Sequence, residues 1–305
     1  DGILIDLTAP TAGTVIDGTE SDLSYTGSDS TLTGSWSGFE DNVSGITGYE
    51  IAVNDGNVYS WTGVGSVSST TVTGLGLDHG SEYTLDIRAT DAAGNVSETA
   101  TTDGIIVDTQ PPGSTLEFSS EYYNEPGWNE SVQIQGTAFD GENESGLNMI
   151  ELAIEDTSDN TYYTGSSWDG SEQWVAATGT DSWTYELSAD QLSDVHGYRV
   201  RSRATDAVGN TQTEYGQDSF SYDSTEPETV MDIPDDFYSI SGWNTAAPIQ
   251  GSASDATSGI QLIDIAVEDN TAGGIYFYGE YRSDCRRYRR DPGWQAYVRR
   301  WRPYR

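Results

Sequence analysis

Tyr83-Thr-Leu-Asp-Ile-Arg-Ala-Thr-Asp-Ala-Ala-Gly-Asn95 returns, 115 residues on, as Tyr198-Arg-Val-Arg-Ser-Arg-Ala-Thr-Asp-Ala-Val-Gly-Asn210. The same offset relates Leu77 to Leu192 and Asp108 to Asp223. Self-similarity at a fixed period marks a tandem array, and it decides architecture ahead of any local motif. Function in such arrays resides in the number, spacing and stiffness of the units.

Working outward, the units are bounded by a shared form, Asp-x-x-x-Pro, at Asp6–Pro10, Asp108–Pro112 and Asp223–Pro227. Proline fixes φ and removes a donor, so each ends a strand and stiffens a short linker. Gly2-Ile-Leu-Ile-Asp6 resembles Gly104-Ile-Ile-Val-Asp108 and Ser219-Phe-Ser-Tyr-Asp223, so the chain is expected to open on the last strand of an earlier repeat. The organisation read from these marks is residues 1–8, a closing strand and linker; 9–108; 109–223; 224–281, an incomplete third unit; and 282–305, an arginine-rich tail.

Within each unit the runs are short, rich in Val, Ile, Thr and Tyr, and split by Gly, Asn, Asp and Ser. That is the pattern of strands joined by turns. Tyr49-Glu-Ile-Ala-Val53, Tyr83-Thr-Leu-Asp-Ile87 and Ile150-Glu-Leu-Ala-Ile154 alternate apolar and polar residues, which marks strands with one buried face. No segment sustains a 3.6-residue period, so the fold class is all-β. Ser44-Gly-Ile46 and Glu50-Ile-Ala-Val53 pair with Ser145-Gly-Leu147 and Glu151-Leu-Ala-Ile154 at an offset of 101. By Leu77 the offset is 115, so the second unit carries about 14 extra residues near Tyr162–Trp183, where Trp168, Trp174 and Trp183 cluster. The third unit repeats the second in Gly242-Trp-Asn244, Ile249-Gln-Gly251 and Ile265-Ala-Val-Glu-Asp269, up to about Tyr278. Counterparts of Tyr198 and Asp206 would fall beyond residue 310.

The chain has 50 acidic residues against 13 arginines and no lysine, and nine of the arginines lie between Arg282 and Arg305. Residues 1–281 therefore hold 48 acids and 4 arginines, a formal charge of −44. Such a body repels phosphate backbones and anionic lipid, so no nucleic acid partner is expected. It is either a solvated surface kept soluble by repulsion or a carrier of specific cation sites. The tail has three readings: an out-of-frame or truncated reading frame, a basic extension docking on acidic neighbours, or a nucleic-acid or sorting tail. Cys285 is the single cysteine, so no intrachain disulfide forms. No run approaches 18 apolar residues, so no membrane insertion by a helix is expected, and no leader is present in the residues given.

Trp36 in Gly34-Ser-Trp-Ser, Tyr49 opening a strand, and Leu77 six residues before Tyr83 with the motif that follows it resemble a fibronectin type III domain. Units two and three are similar to immunoglobulin-like repeats of very large bacterial secreted and surface proteins, including adhesins. The resemblance covers residues 1 to about 278 and is specific for fold rather than activity. It implies tandem seven-stranded Greek-key β-sandwiches, with Tyr83 and Tyr198 beginning the sixth strand as tyrosine corners. One departure stands out: Thr137 matches Trp36, so the second unit is expected to fill its core with Phe139 or an inserted tryptophan.

Asp91-Ala-Ala-Gly-Asn95 and Asp206-Ala-Val-Gly-Asn210 suit tight hairpins, Gly and Asn supplying positive φ and Asp bonding its own turn. The competing reading is a calcium site made of Asp91, Asn95, Asp108, Asp206, Asn210 and Asp223, where a turn meets a linker between abutting units. Calcium needs six to eight oxygens, so acids of a neighbouring unit, such as Asp140 and Glu142 or Asp255, would be required. The resemblance to adhesin repeats implies that calcium there stiffens the rod, with affinity of roughly 0.1–1 mM. Trp168 and Trp174 either cover the core or stack on a glycan.

No catalytic residue is expected. Gly34-Ser-Trp-Ser-Gly38 has tryptophan where a nucleophile elbow needs serine, and there is no His-Glu-x-x-His. His79 and His196 each precede a glycine before the sixth strand and read as turn residues in equivalent loops, against a ligand or base role. Two functions are weighed: a stalk or spacer of a large exported bacterial protein, or carbohydrate-binding or spacer modules of a secreted hydrolase. Expected partners are neighbouring repeats and a cell-surface glycan or protein, with an extracellular or cell-surface location.

Overall fold

The computed structural model describes residues 3–130, 134–232, 249–269, 275–281 and 295–298. The first unit has Thr14–Asp17 (β1), Tyr25–Thr26 (β2), Thr31–Ser37 (β3), Ile46–Val53 (β4), Tyr59–Gly65 (β5), Ser69–Thr73 (β6), Glu82–Tyr83 (β7), Leu85–Asp91 (β8), Ala100–Thr101 (β9) and Ile105–Val107 (β10). One sheet runs β1-β3-β6 and the facing sheet β5-β4-β8-β9. At one margin a third ladder, β2-β10-β7, joins them, with β2 parallel to β10. This is the expected Greek-key sandwich, entered by a first strand that leaves one sheet for the other. Its core is the inward set of both sheets: Leu32 and Trp36 from β3, Ile51 and Val53 from β4, Leu85, Ile87 and Ala89 from β8. Burying one such aliphatic side chain contributes about 1.5–3 kcal/mol.

The second unit repeats the plan with Gly113–Leu116 (β11), Tyr122–Tyr123 (β12), a short helix Glu125–Asn129 (α1), Ile134–Phe139 (β13), Leu147–Asp156 (β14), Thr161–Tyr163 (β15), Trp168–Asp169 (β16), Val175–Ala176 (β17), Thr178–Gly179 (β18), Ser182–Tyr185 (β19), His196–Asp206 (β20) and Gly216–Tyr222 (β21). The sheets are β11-β13-β19-β18 and β12-β21-β20-β14-β15-β16, with β17 also on β14. The inserted residues thus add short strands at the sheet edges and leave the frame unchanged.

The core of this unit corrects the expectation for Thr137. Gly34 and Gly136 hold the same inward place, because an added Cβ would strike Leu85 in one unit and Trp183 in the other. Two residues on, Trp36 therefore matches Ala138, and Thr137 faces outward. Phe139 is 65% exposed and fills nothing inside. Trp183 on β19 occupies the space and is 1% exposed. Trp128 on α1 adds a second indole, stacked on Phe220 at 4.6 Å with Nε1 donating to Leu187 O at 2.6 Å.

Both tyrosine corners form. The Asp78 amide donates to Tyr83 Oη at 2.9 Å and the Ser193 amide to Tyr198 Oη at 2.7 Å. Burial pushes the Tyr198 phenol up to about 12. Tyr198→Phe strands the Ser193 amide, and a cost of about 1–3 kcal/mol is expected in urea unfolding of the whole chain.

In the third unit Glu228–Asp232 (β22) pairs with Gln250–Ser254 (β23). Ile263–Asp269 (β24) pairs with Ile275–Tyr281 (β25) on one side and Gln295–Val298 (β26) on the other. The strand β26 takes the side of β24 that β8 and β20 take on β4 and β14. Four residues of the arginine-rich tail are therefore paired, while the rest of it, Cys285 included, lies outside the described residues.

Candidate cation sites at the module junctions

Three segments from two units meet at each of the first two junctions, and two of the three are described at the third. The linker carboxylate accepts from the amide two residues on: Thr8 to Asp6 Oδ1 at 2.9 Å, Gln110 to Asp108 at 3.2 Å, Thr225 to Asp223 at 3.1 Å. Its other oxygen reaches into the following unit, taking the Ser145 amide at 2.7 Å on Asp108 and the Ser258 amide at 3.1 Å on Asp223.

The loop that receives it is built alike in each unit around an aspartate and a glycine. Asp41 Oδ1 accepts from Ser44 at 2.8 Å and Gly45 at 2.6 Å; Asp255 Oδ1 accepts from Ser258 and Gly259, both at 2.8 Å; Asp140 Oδ2 accepts from Gly146 at 2.7 Å. Gly45, Gly146 and Gly259 have φ of 79°, 83° and 76°, a conformation that glycine adopts without strain. The amides of Ala92 and Ala207 then bond Gly45 O and Gly146 O, tying this loop to the hairpin turn after the sixth strand.

That turn supplies the third acid. Asp91 Oδ1 accepts the Ala93 and Asn95 amides at 2.9 and 2.8 Å, and Asp206 Oδ1 accepts those of Val208, Gly209 and Asn210 at 3.0, 2.7 and 2.8 Å. Burial pushes Asp91 up, but the hydrogen bonds from Asn95 and the turn amides outweigh it and hold Asp91 below the usual carboxylate range. Asn95 and Asn210 use their amide nitrogens, donating to Asp91 Oδ2 and Asp206 Oδ2 at 2.8 and 2.7 Å and to linker carbonyls, Asp6 O at 3.3 Å and Asp108 O at 3.0 Å.

The outcome is two equivalent triads, Asp6–Asp41–Asp91 and Asp108–Asp140–Asp206, in each of which one oxygen per residue lies within 4.8 Å of the others. Each turn therefore meets the linker that enters its own unit; Asp91 does not share a site with Asp108. Asp223 pairs with Asp255 through Ser258. Glu142 stays exposed, and Glu144 approaches instead, accepting from the Gly141 amide. Asp41, absent from the expected set, was signalled by the recurring Asp-x-x-x-Gly of Asp41–Gly45 and Asp255–Gly259.

The triads carry open coordination. Asp6 Oδ2, Asp140 Oδ1 and the hydroxyls of Ser44 and Ser145 are buried without a hydrogen-bond partner. Burial pushes Asp140 up to about 6, the neighbouring Glu144 carboxyl and the charge of Asp108 add to the rise, and the Gly146 amide opposes it. Crowded carboxylates with orphaned oxygens fit a hard divalent cation, which takes oxygen ligands and tolerates irregular geometry.

The histidines differ from each other. His79 accepts the Thr109 amide at 3.2 Å and sits 3.4 Å from Glu144 of the next unit. Its counterpart is Asp194, which accepts the Ser224 amide at 2.7 Å and the Thr225 hydroxyl at 2.6 Å, bonds that hold it below the usual carboxylate range. His196 lies two residues further on and bonds Asp156 at 2.7 Å inside its own unit.

All four arginines before Arg282 are spoken for. Arg88 pairs with Glu50 at 2.7 Å, Arg203 with Glu151 at 2.8 Å, Arg201 with Glu172 at 2.9 Å, and Arg199 with Glu155. Arg88 also lies 4.2 Å from the Trp61 ring centroid, and Arg203 4.1 Å from that of Trp174. Trp174 thereby holds in the second unit the place of Trp61 in the first, a cation–π contact over the outer sheet face. Trp168 packs on Tyr163 and Tyr198 at 5.3 and 5.6 Å and donates to Gln191 O at 2.9 Å.

No family model matches the chain. Chitinase A1 of Niallia circulans is 30% identical over 208 residues, 68% of this chain. Sheet order, tyrosine corners and this alignment agree. The chain is a tandem array of fibronectin type III and immunoglobulin-like modules. These modules span 25% of the length of chitinase A1. Solved structures similar to the array include fibronectin(III)-like modules of CbhA from Clostridium thermocellum, with 12% identity, TM-score 0.37 and coverage of 69% of this chain and 94% of that one. A 1.5-MDa bacterial ice-binding adhesin gives 14% identity, TM-score 0.43 and coverage of 94% and 85%. Among the described residues no helix of the array is long and apolar enough to cross a membrane.

Proposed function

We propose that this segment is a spacer of an exported bacterial protein whose module junctions are stiffened by calcium. The observation that carries the reading is the pair of equivalent triads, each built from an entering linker, the loop between β3 and β4 or β13 and β14, and the turn after β8 or β20, with buried oxygens left open. An ion bound there links the linker to the body of its module and removes a hinge. The charge of −44 on residues 1–281 keeps neighbouring rods apart in an extracellular or cell-surface setting. Trp168 and Trp174 are assigned to covering and packing duty, and no catalysis is assigned to the segment.

Calcium at ten times its dissociation constant is expected to stabilise each occupied junction by about 1.4 kcal/mol and to lengthen the particle in X-ray scattering, relative to chelator. Unchanged melting and unchanged maximum dimension would sink the reading. A second reading, spacer modules of a secreted hydrolase, is favoured by the alignment with chitinase A1. It differs only in what the spacer carries, and sequencing the coding DNA on both sides of this segment distinguishes a catalytic domain from further repeats.

A further inference from the structure

The first module contains a carboxylate where its siblings are apolar. Asp17 closes β1 opposite Gly34, Leu116 closes β11 opposite Gly136, and Met231 stands opposite Gly251. Leu116 packs in the core of its module. Asp17 is 0% exposed, and neither of its carboxylate oxygens has a hydrogen-bond partner. An ionised carboxylate out of water and unpaired costs several kcal/mol, so a fold retains one only with compensation.

Two further acids converge on it. Asp22 lies in the crossover from β1 to β2 and accepts the Asp17 amide at 2.9 Å; Asp103 lies in the break between β9 and β10. One oxygen from each of the three falls within 4.8 Å of the others, and Asp22 and Asp103 face solvent, which leaves an open side for entry. Burial pushes Asp17 up to about 6, the nearby Thr102 hydroxyl and Gly104 amide offset part of that without completing a hydrogen bond, and the charges of Asp22 and Asp103 add to the rise. In the second module the acid corresponding to Asp103 is Asp218, which is used to accept the Phe118 amide at 2.6 Å.

We infer that Asp17, Asp22 and Asp103 form a divalent-cation site of the calcium class inside the first module, separate from the junctions. The ion ties the strand that switches sheets to the interrupted last strand, at the margin where the sandwich is held by only two short ladders. Waters on the exposed side complete the six to eight oxygens that calcium requires.

The test counts calcium. The whole chain, freed of metal, is titrated with calcium by calorimetry at neutral pH as wild type, Asp17→Leu and Asp103→Asn. Asp17→Leu is expected to bind one calcium fewer and to melt higher than wild type in chelator, since leucine is what the second module carries there. Asp103→Asn changes an exposed residue, so its fold is retained, and the same equivalent is expected to be lost or weakened at least tenfold. Asp140→Asn removes a junction equivalent instead, so this inference and the junction reading fail separately. Equal calcium stoichiometry and affinity in wild type, Asp17→Leu and Asp103→Asn overturns the site, as does a wild-type chain that binds no calcium.

Discussion

Replacing Trp183 with alanine is expected to destabilise the second module by about 3–5 kcal/mol, the range for deleting a large aromatic from a core. The indole is almost wholly buried and lies against Gly136, where the Cβ of any other residue would come within 2.4 Å of Trp183 Cζ2. That complementarity leaves a large void when the ring is removed, because nothing bulkier than glycine faces it across the sheet. Trp183 Nε1 has no hydrogen-bond partner, so no polar contact is lost and the whole effect is packing. Urea unfolding followed by intrinsic fluorescence should show one module melting early and the other unmoved, since each has its own hydrophobic cluster. Phe139→Ala, on the exposed side of the neighbouring strand, should change stability by no more than about 0.5 kcal/mol. Equal losses from the two substitutions would mean that the strand faces outward where it is described as facing inward.

Which indole fills that core was not legible from alignment. Offsets of 101 and 115 locate the inserted length, but a strand reverses its faces with each single-residue slip, and the slip between Trp36 and Ala138 is one residue. The inward glycines were the usable signal, since Gly34 and Gly136 mark the same face. The tyrosine corners were legible because Tyr83 and Tyr198 keep a five-residue separation from the amides they accept, and that spacing lies within one loop. The junction was half legible. Asp91 and Asp206 were visible as turn residues, and Asp108 and Asp223 as linker residues, yet which turn serves which linker depends on strand polarity. The chain enters a module at one pole, and the β3–β4 and β8–β9 turns of the first module, like the β13–β14 and β20–β21 turns of the second, return to that same pole. Asp91 therefore meets Asp6, and Asp206 meets Asp108. The loop before the sixth strand lies at the opposite pole, which is why His79 faces Thr109 and Glu144 while Asp194 caps Ser224.

At the first two junctions the same polarity separates the hydrogen-bonded staple from the proposed ion ligands. Asn95 and Asn210 present nitrogen to both the turn carboxylate and the linker carbonyl, so they staple the linker whether or not an ion is present. The carboxylates that remain under-used are Asp6 and Asp140, one from a linker and one from a loop. On the proposed function, the stiffness an ion supplies would add to that of a linker already stapled by hydrogen bonds.

Calcium binding at the second junction is expected to weaken as pH falls through about 6, because Asp140 holds a proton there that the ion must displace. Burial is the leading cause of the raised value, followed by the neighbouring Glu144 carboxyl and the charge of Asp108. In the metal-free protein the folded pKa lies above the unfolded value of 3.8. The unfolded chain thus releases its proton first, and the contribution of Asp140 to stability declines as pH rises from about 4 to about 6 and stays low above that. Calcium reverses the sign: it favours the ionised carboxylate, so its stabilising effect is largest at neutral pH and fades in acid. Titration should give a dissociation constant about tenfold higher at pH 5 than at pH 7.5 from this group alone. Asp17→Leu serves as the background, so that the carboxyl in the first module does not contribute. Calorimetry in buffers of different ionisation enthalpy should register proton release on calcium binding near pH 6, and Asp140→Asn should abolish both the release and the steepness in pH. An affinity flat between pH 5 and 7.5 would place the ion away from Asp140, and the triad would then be a hydrogen-bonded joint without a metal.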